Sequence, residues 1–207
     1  MRLVNSPGLL DWIKRLHGDD GTAFVPSVDD SLYYPDTGKP IDPPYVKIFF
    51  YGRPNNARNG FILGIEALKR LKQRYGERVQ IVAAGEDWDP RTYGAGGLIE
   101  NLGRLTTAGE VAQVYRSCDV GLVFMFTPHP SYQPLEFMAS GCAVVTNENS
   151  ANRWLLRHEE NALLCEPTLE AVAQAVGRLV EDSELRGRLR EAGLKSVTLM
   201  LNGDYAF

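Results

Sequence analysis

Two arginines and two glycines stand within ten residues in Tyr-Gly-Arg-Pro-Asn-Asn-Ala-Arg-Asn-Gly, residues 51–60, and those types suit an anion. Gly52 offers a tight exit from a strand, Arg53 and Arg58 are cations, and Asn59-Gly60 stands at the mouth of a helix. Free backbone N–H groups and the helix dipole at such a turn favour negative charge, and arginines add bidentate contacts to phosphate. The plainer alternative is two arginines solvated on a loop. G-x-G-x-x-G and G-x-x-x-x-G-K-[ST] are both absent, so neither a dinucleotide fingerprint nor an ATPase loop is present.

A second constellation runs from Thr127 to Asn147 as TPHPSYQPLEFMASGCAVVTN. Pro134 and Glu136 suit a first helical turn and Gly141 a helix end before a buried strand. The Glu136 carboxylate could accept two hydrogen bonds from the cis-diol of a ribose, or could simply complement a helix dipole. Tyr132 could stack on a ring or cover the core, and His129 could be an acid, a base or a bystander. Asp87-Trp88-Asp89 carries paired carboxylates of the kind that hold a divalent metal on a diphosphate, but the string reads more naturally as an exposed turn. His17, His129 and His158 are scattered and not at zinc spacing, no G-x-S-x-G elbow occurs, and no metal site is expected.

The elements that must position these residues alternate in type. Short apolar runs at Val46–Tyr51, Val79–Ala84, Asn101–Arg104, Val120–Phe124, Ala143–Thr146 and Ala162–Cys165 read as strands buried on both faces. Between and after them, Gly60–Tyr75, Thr107–Ser117, Gln133–Ser140, Asn152–Arg157, Leu169–Glu181 and Ser183–Val197 carry the helical period. That alternation predicts βαβ units, an α/β fold and a parallel sheet. The start differs: Leu9–Leu16 suits a short helix, Ala23–Pro26 a short strand, and a proline-rich stretch leads to the first main strand.

With 207 residues there is room for one domain and an extension. A formal net charge of −4 leaves no basic stripe for a phosphate backbone, which argues against nucleic-acid binding. Cys118, Cys142 and Cys165 sit in apolar stretches without ligand spacing, as buried thiols in a reducing compartment would. No signal-like start and no apolar run near the roughly 18–20 residues of a membrane span is visible, so a cytoplasmic location is expected.

In order, these segments resemble the C-terminal domain of GT-B glycosyltransferases, in the group called glycosyltransferase group 1 or family 4. YGRPNNARNG is similar to that family's G-R-x-x-x-x-K-G loop, with Arg53 at the arginine position, Arg58 at the lysine position and one extra residue before Gly60. PLEFMASGCAVVTN resembles L-L-E-A-M-A-C-G-x-P-V-V, which puts Glu136 at the second glutamate of the E-x7-E motif; NALLCEP resembles N-G-x-L-V-x-P. NLGRLTTAGEVAQVYRSCDVGLVF is similar to the segment leading into the donor site, and VNSPGLLDWIKRL with FVPSVDDSLYYP to the family's linker elements.

The resemblance implies a single Rossmann-like, doubly wound parallel sheet of about six strands with helices on both faces. Residues 1–43 would be linker and remnant of an N-terminal domain, 44–200 the nucleotide-sugar-binding domain, and 201–207 a tail. It also implies an enzyme that transfers a hexose or deoxyhexose from a nucleotide diphosphate to a saccharide acceptor, with retention and without an essential metal or other cofactor. Arg53 and Arg58 would stabilise the diphosphate, Glu136 the ribose, Arg104 or Tyr132 the base, and His129 with Ser131 the sugar, beside Gly52. The acceptor would come through the N-terminal domain, and the implied setting allows peripheral membrane association of the full enzyme.

One departure bears on mechanism: Pro128 stands where the motif's first glutamate belongs. The loop TPHPSYQPLE is similar to a branch of rhamnosyltransferases that build bacterial surface polysaccharides from a deoxythymidine-diphosphate rhamnose donor. A 6-deoxy sugar offers fewer hydroxyls for a carboxylate to meet. Two alternatives remain open at this point, a non-catalytic nucleotide-binding or scaffold module with the same fold, and a metal-dependent transferase or phosphohydrolase built on Asp87 and Asp89.

Overall fold

The computed structural model describes residues 2–40, 43–127 and 129–203. It begins with a small βαβ unit: strand β1 (Arg2–Val4), helix α1 (Pro7–His17) and strand β2 (Gly21–Ala23), the strands paired in parallel. Ser6 caps α1 with its hydroxyl, Pro7 opens it, and Gly18 closes it in the left-handed region.

The main sheet follows as β3 (Val46–Gly52), β4 (Val79–Gly85), β5 (Glu100–Asn101), β6 (Val120–Val123), β7 (Ala143–Asn147) and β8 (Leu163–Cys165). All pairings are parallel and the spatial order is β5-β4-β3-β6-β7-β8. Counted from β3, that is the 3-2-1-4-5-6 order of doubly wound α/β folds, whose ligands bind outside the strand ends where the order reverses. Here the reversal lies between β3 and β6.

Alternation along β3 explains the layers. Ile48 and Phe50 join the apolar cluster under helices α2 (Phe61–Tyr75) and α5 (Leu169–Glu181), with Ile65, Leu68, Val172 and Val176. Phe49 points the other way, into a cluster with Tyr115 of α3 (Ala108–Ser117) and Phe137 and Met138 of α4 (Gln133–Ala139). Helix α6 (Ser183–Leu201) serves both faces, giving Leu185 and Leu189 to the first cluster and Val197 and Met200 to the second. Capping fixes these helices in register: Thr107 and Glu110 form a reciprocal box at α3, while Thr168 and Asp182 cap α5 and α6. Helix α4 can lie close on the sheet because β6 carries Gly121, where a Cβ would come within 2.4 Å of the Phe137 ring.

Three expected elements differ. The short strand expected at Ala23–Pro26 is Gly21–Ala23, paired with β1. The third strand is Glu100–Asn101 rather than Asn101–Arg104, since Gly103 turns at φ +69° and the chain leaves the sheet. Residues 152–157 are turns, not a helix, because asparagine side chains take the backbone groups: Asn161 accepts from Arg157 N at 2.8 Å and donates to Leu155 O at 2.9 Å. Near the end, α6 runs to Leu201, and residues 204–207 of the expected tail lie outside the described ones.

Residues 28–39 form a strap across the α3/α4 side of the domain. Val28 and Tyr33 are buried in the same cluster as Phe49 and Phe137. Arg116 of α3 donates to the Leu32 carbonyl and lies over the Tyr34 ring at 4.3 Å. Lys39 reaches the Cys118 carbonyl and pairs with the buried Asp119 carboxylate at 3.2 Å. The stretch read from sequence as a linker thus supplies part of the core.

Candidate functional site

The turns after β3, β4 and β6 meet above the reversal point and enclose a two-part cleft. One compartment, about 400 Å³, is walled by Tyr33, Tyr51, Glu86, Arg104, Leu105 and Tyr115. The other, about 190 Å³, is walled by Arg58, Asn59, His129, Ser131 and Tyr132. Tyr51, Arg53, Gln133 and Glu136 line both, so a ligand reaching from one to the other must pass Arg53 and Glu136.

Side chains fasten the loops that carry these groups. Asn147, at the end of β7, accepts from Met125 N at 2.9 Å and donates to Met125 O at 3.1 Å. Asn149 donates to the carbonyls of Met125 and Thr127 at 2.8 and 2.7 Å. The loop leading to His129 and Tyr132 is therefore held by two buried amides. It is tied across to the first turn by Phe126 N donating to the Arg58 carbonyl at 2.9 Å. Only glycine fits at 60, where φ is +59° and a Cβ would meet the Phe126 ring at 2.8 Å.

Arg53 is engaged by its neighbours. Its Nε donates to Glu86 Oε1 at 3.0 Å and its Nη1 to the Tyr51 hydroxyl at 3.3 Å. Glu86 also accepts from the Asn55 backbone and side-chain amides at 3.3 and 3.1 Å. Partial burial pushes the Glu86 carboxyl up, but Arg53 and Asn55 outweigh it and leave the group below its ordinary value. Arg58 is exposed and has no ion-pair or hydrogen-bond partner for its guanidinium among the described residues.

Glu136 lies in the first turn of α4, half-buried between the compartments. Burial pushes its carboxyl up to about 7, and the Tyr33 hydroxyl, facing it, pulls the other way. Tyr33 is itself raised to about 12, first by burial and then by the neighbouring Glu136.

The expected residues divide as follows. Arg53 and Glu136 join the compartments; Arg104 lies in the larger, exposed, with its backbone N–H on Asp87 Oδ1 at 3.3 Å. Arg58, His129, Ser131 and Tyr132 lie in the smaller, so Arg104 and Tyr132 stand on different sides and do not converge on one ring. The Ser131 hydroxyl donates to Gln133 Oε1 and accepts from Gln133 N at 3.4 Å, just ahead of α4. Gly52 lines neither compartment: it pairs with Gly85 and is covered by Trp88, whose indole would stand 3.2 Å from an added Cβ. Pro128 falls outside the described residues.

The two aspartates are spoken for. Asp89 caps a short 3-10 turn and takes Arg91 bidentately at 2.8–3.1 Å, and among the described residues no cluster of three or more His, Cys, Asp or Glu gathers at a common point. Cys118 and Cys142 are buried and Cys165 is partly so, all free thiols. Sequence reasoning missed Tyr33, Tyr51, Glu86 and Gln133. Glu86 had a usable signal, the first acidic residue after a strand end; Tyr33 had none, being distant in sequence from every other wall of the cleft.

A 3-2-1-4-5-6 parallel sheet with a cleft at its reversal point is a Rossmann-like doubly wound fold, and solved glycosyltransferase structures share it. The C-terminal domain of the glycosyl transferase group 1 family protein LpcC from Francisella tularensis superposes with a TM-score of 0.70 at 24% identity, covering 83% of this chain and 97% of that one. HepE from Anabaena, solved with UDP, gives a TM-score of 0.81 at 15% identity over 98% of this chain and 60% of its own. Residues 46–177 match the family described as WsaF, C-terminal domain, and the chain belongs to that family.

Among curated proteins, the O-antigen biosynthesis protein RfbC of Myxococcus xanthus is 51% identical over 187 residues, which is 90% of this chain and 14% of RfbC. The phosphatidyl-myo-inositol mannosyltransferase of Mycobacterium tuberculosis is 30% identical over 90% of this chain and 52% of its own length. The chain thus spans about half of one relative and a small part of the other. No helix among the described residues is long and apolar enough to cross a membrane.

Proposed function

We propose that this domain binds the nucleotide-diphosphate sugar of a retaining glycosyltransferase that passes a hexose or deoxyhexose to a saccharide acceptor in surface polysaccharide synthesis. The observation that carries the reading is the two-part cleft joined by Arg53 and Glu136. In this reading the base and ribose take the larger compartment, lined by Arg104 and Tyr115, and Glu136 accepts from the ribose hydroxyls. The diphosphate crosses at Arg53, and the sugar reaches Arg58, His129 and Tyr132. HepE, which shares the fold, was solved with UDP, and RfbC is named for O-antigen biosynthesis.

Chemically, the leaving diphosphate gains charge as its bond to the sugar breaks. Cations already fixed beside it stabilise that charge more than they stabilise the bound ground state. Glu86 and Tyr51 fix Arg53 while leaving donors of its guanidinium for a diphosphate to share. The catalysis proposed is electrostatic and needs no metal from this chain. L-rhamnose is the sugar favoured, because Pro128 removes the carboxylate that would meet an additional hydroxyl, and the acceptor is assigned to a further domain of the enzyme.

Calorimetric titration with dTDP, UDP and GDP, and with dTDP-rhamnose and UDP-glucose, tests the reading. Saturable binding is expected, with dTDP preferred, and lost in Glu136→Ala and weakened at least tenfold in Arg53→Ala, since a charge-assisted contact contributes about 1.5–3 kcal/mol. Preference for UDP or GDP would change the sugar and keep the class. Absence of binding to the intact chain would sink the reading in favour of a non-catalytic module.

A further inference from the structure

Strands β3 and β4 run side by side in parallel with Gly52 level with Gly85, so the next residue of each, Arg53 and Glu86, leaves the sheet beside the other with opposite charge. The two meet. Arg53 Nε lies 3.0 Å from Glu86 Oε1, and both side chains are partly withdrawn from water, 32% and 21% exposed. The arginine stem has room to lie there because Gly85, at φ +136°, carries no side chain; a Cβ would come within 2.9 Å of Arg53 Cγ. The second carboxylate oxygen of Glu86 takes two donors from Asn55, the backbone N–H at 3.3 Å and the side-chain amide at 3.1 Å. One carboxylate thus holds both an arginine and the turn that follows it. Arg58, at the far end of the same loop, is exposed and has no such partner among the described residues.

We propose that Glu86 is a positioning residue for diphosphate recognition: it fixes the Arg53 guanidinium where the two compartments meet, so that Arg53 rather than a mobile side chain meets the phosphates. This rests on the donor-binding reading above and gives a role to a carboxylate that would otherwise oppose an anion. Glu86 lines the larger compartment, and a negative charge beside the passage to the smaller one repels a diphosphate. Its presence there is accounted for if the order that it gives Arg53 outweighs the repulsion. An arginine side chain has several rotatable bonds, and their freedom must be given up before it can hold a phosphate. The bond to Glu86 removes much of that freedom within the fold itself. Enough donors are left for a ligand: Nε goes to Glu86 and one Nη1 hydrogen to Tyr51, while Nη2 has no hydrogen-bond partner among the described residues.

The test is Glu86→Gln, because positioning and plain charge predict effects of opposite sign. The variant loses the repulsive charge, and a single amide oxygen cannot serve Arg53 Nε and both Asn55 donors at once. Wild type, Glu86→Gln, Arg53→Ala and the double variant are titrated by NMR, which reads millimolar Kd values and keeps the weak variants on scale. The probes are dTDP, UDP and GDP, with thymidine, uridine and guanosine as their phosphate-free counterparts. Glu86→Gln should weaken binding of the preferred diphosphate about three- to tenfold, the loss of a charge-assisted bond being partly offset by relief of repulsion. Nucleoside binding should stay as it was. In the Arg53→Ala background the same change should cause no further loss, or should tighten binding, since only the repulsion is then removed. Unchanged or tighter diphosphate binding in Glu86→Gln alone would overturn the inference, leaving the carboxylate as a charge and nothing more. An equal loss with and without Arg53 would overturn it as well and place the effect in the Asn55 turn. The donor reading survives both of those results, whereas failure of the wild-type chain to bind any of the three diphosphates would overturn the two together.

Discussion

At the scale of single residues, the site holds an acid that is costly to keep charged. Glu136 titrates near 7 in the folded chain against 4.5 when free, so the native state keeps its proton longer than the unfolded one. Below pH 4.5 both states are protonated and nothing is lost. Between pH 4.5 and 7 the unfolded chain releases a proton that the native state keeps, so stability falls across that window and the loss is complete above pH 7. Glu136→Gln, neutral throughout, should lie close to the wild type in urea unfolding at pH 5 and exceed its stability at pH 8.5 by on the order of 1–3 kcal/mol, while losing nucleotide binding. An equal stability difference at both pH values would mean that the carboxyl is not buried in solution as described.

Residue type and proximity to a strand end made Arg53, Arg58 and Glu136 candidates but left solvated arginines and a dipole-complementing carboxylate equally open, and it was the resemblance to the glycosyltransferase motifs that gave them roles. Tyr33 and Glu86 were not legible in the same way. A tyrosine in a proline-rich approach looks like surface, and its meaning depends on a chain reversal that brings residue 33 beside residue 136. Gly52 shows the opposite error. Its type suggested a turn, whereas its place depends on an indole from the next strand's exit.

At the scale of elements, the alternating period predicted the order of strands and helices, since each is set by local pattern. Where side chains competed for the backbone, at Asn149 and Asn161, the pattern at 152–157 misled and turns replaced a helix. The strap is the element that local pattern cannot describe, for it has no regular hydrogen bonding and is held by distant partners. Its far anchor is a buried ion pair, with the side chains of Lys39 and Asp119 only 13% and 7% exposed. Lys39→Met should cost roughly 3 kcal/mol in urea unfolding, because Asp119 is left charged without its cation. Adding Asp119→Asn should recover part of that loss; a double variant no better than the single one would show that the lysine acts through packing alone.

At the scale of the whole molecule, the cleft joins turns from both sides of the sheet's midline, so a bound donor should brace elements that are far apart in sequence. Nucleotide sugar at a hundred times its Kd should add about 2.7 kcal/mol to stability. For a domain of this size that raises the melting temperature by roughly 5–11 °C, and a calorimetric scan with and without dTDP-rhamnose reads it. No shift despite measured binding would mean that the ligand holds the unfolded chain as well.

The placing of β3 at the centre of the sheet has a consequence for how the chain is made. Its partner β4 emerges soon after it, across the α2 crossover, but its other neighbour is β6, which is synthesised only after β5 and α3. During that interval Ile48, Phe49 and Phe50 present one bare hydrogen-bonding edge in the middle of what will become the core. Such an edge is slow to be covered and open to other chains in the meantime. A half-made nascent chain is therefore the species most in need of a chaperone, and slowing translation just before Val120 should lower the yield of soluble protein more than slowing it after Cys165.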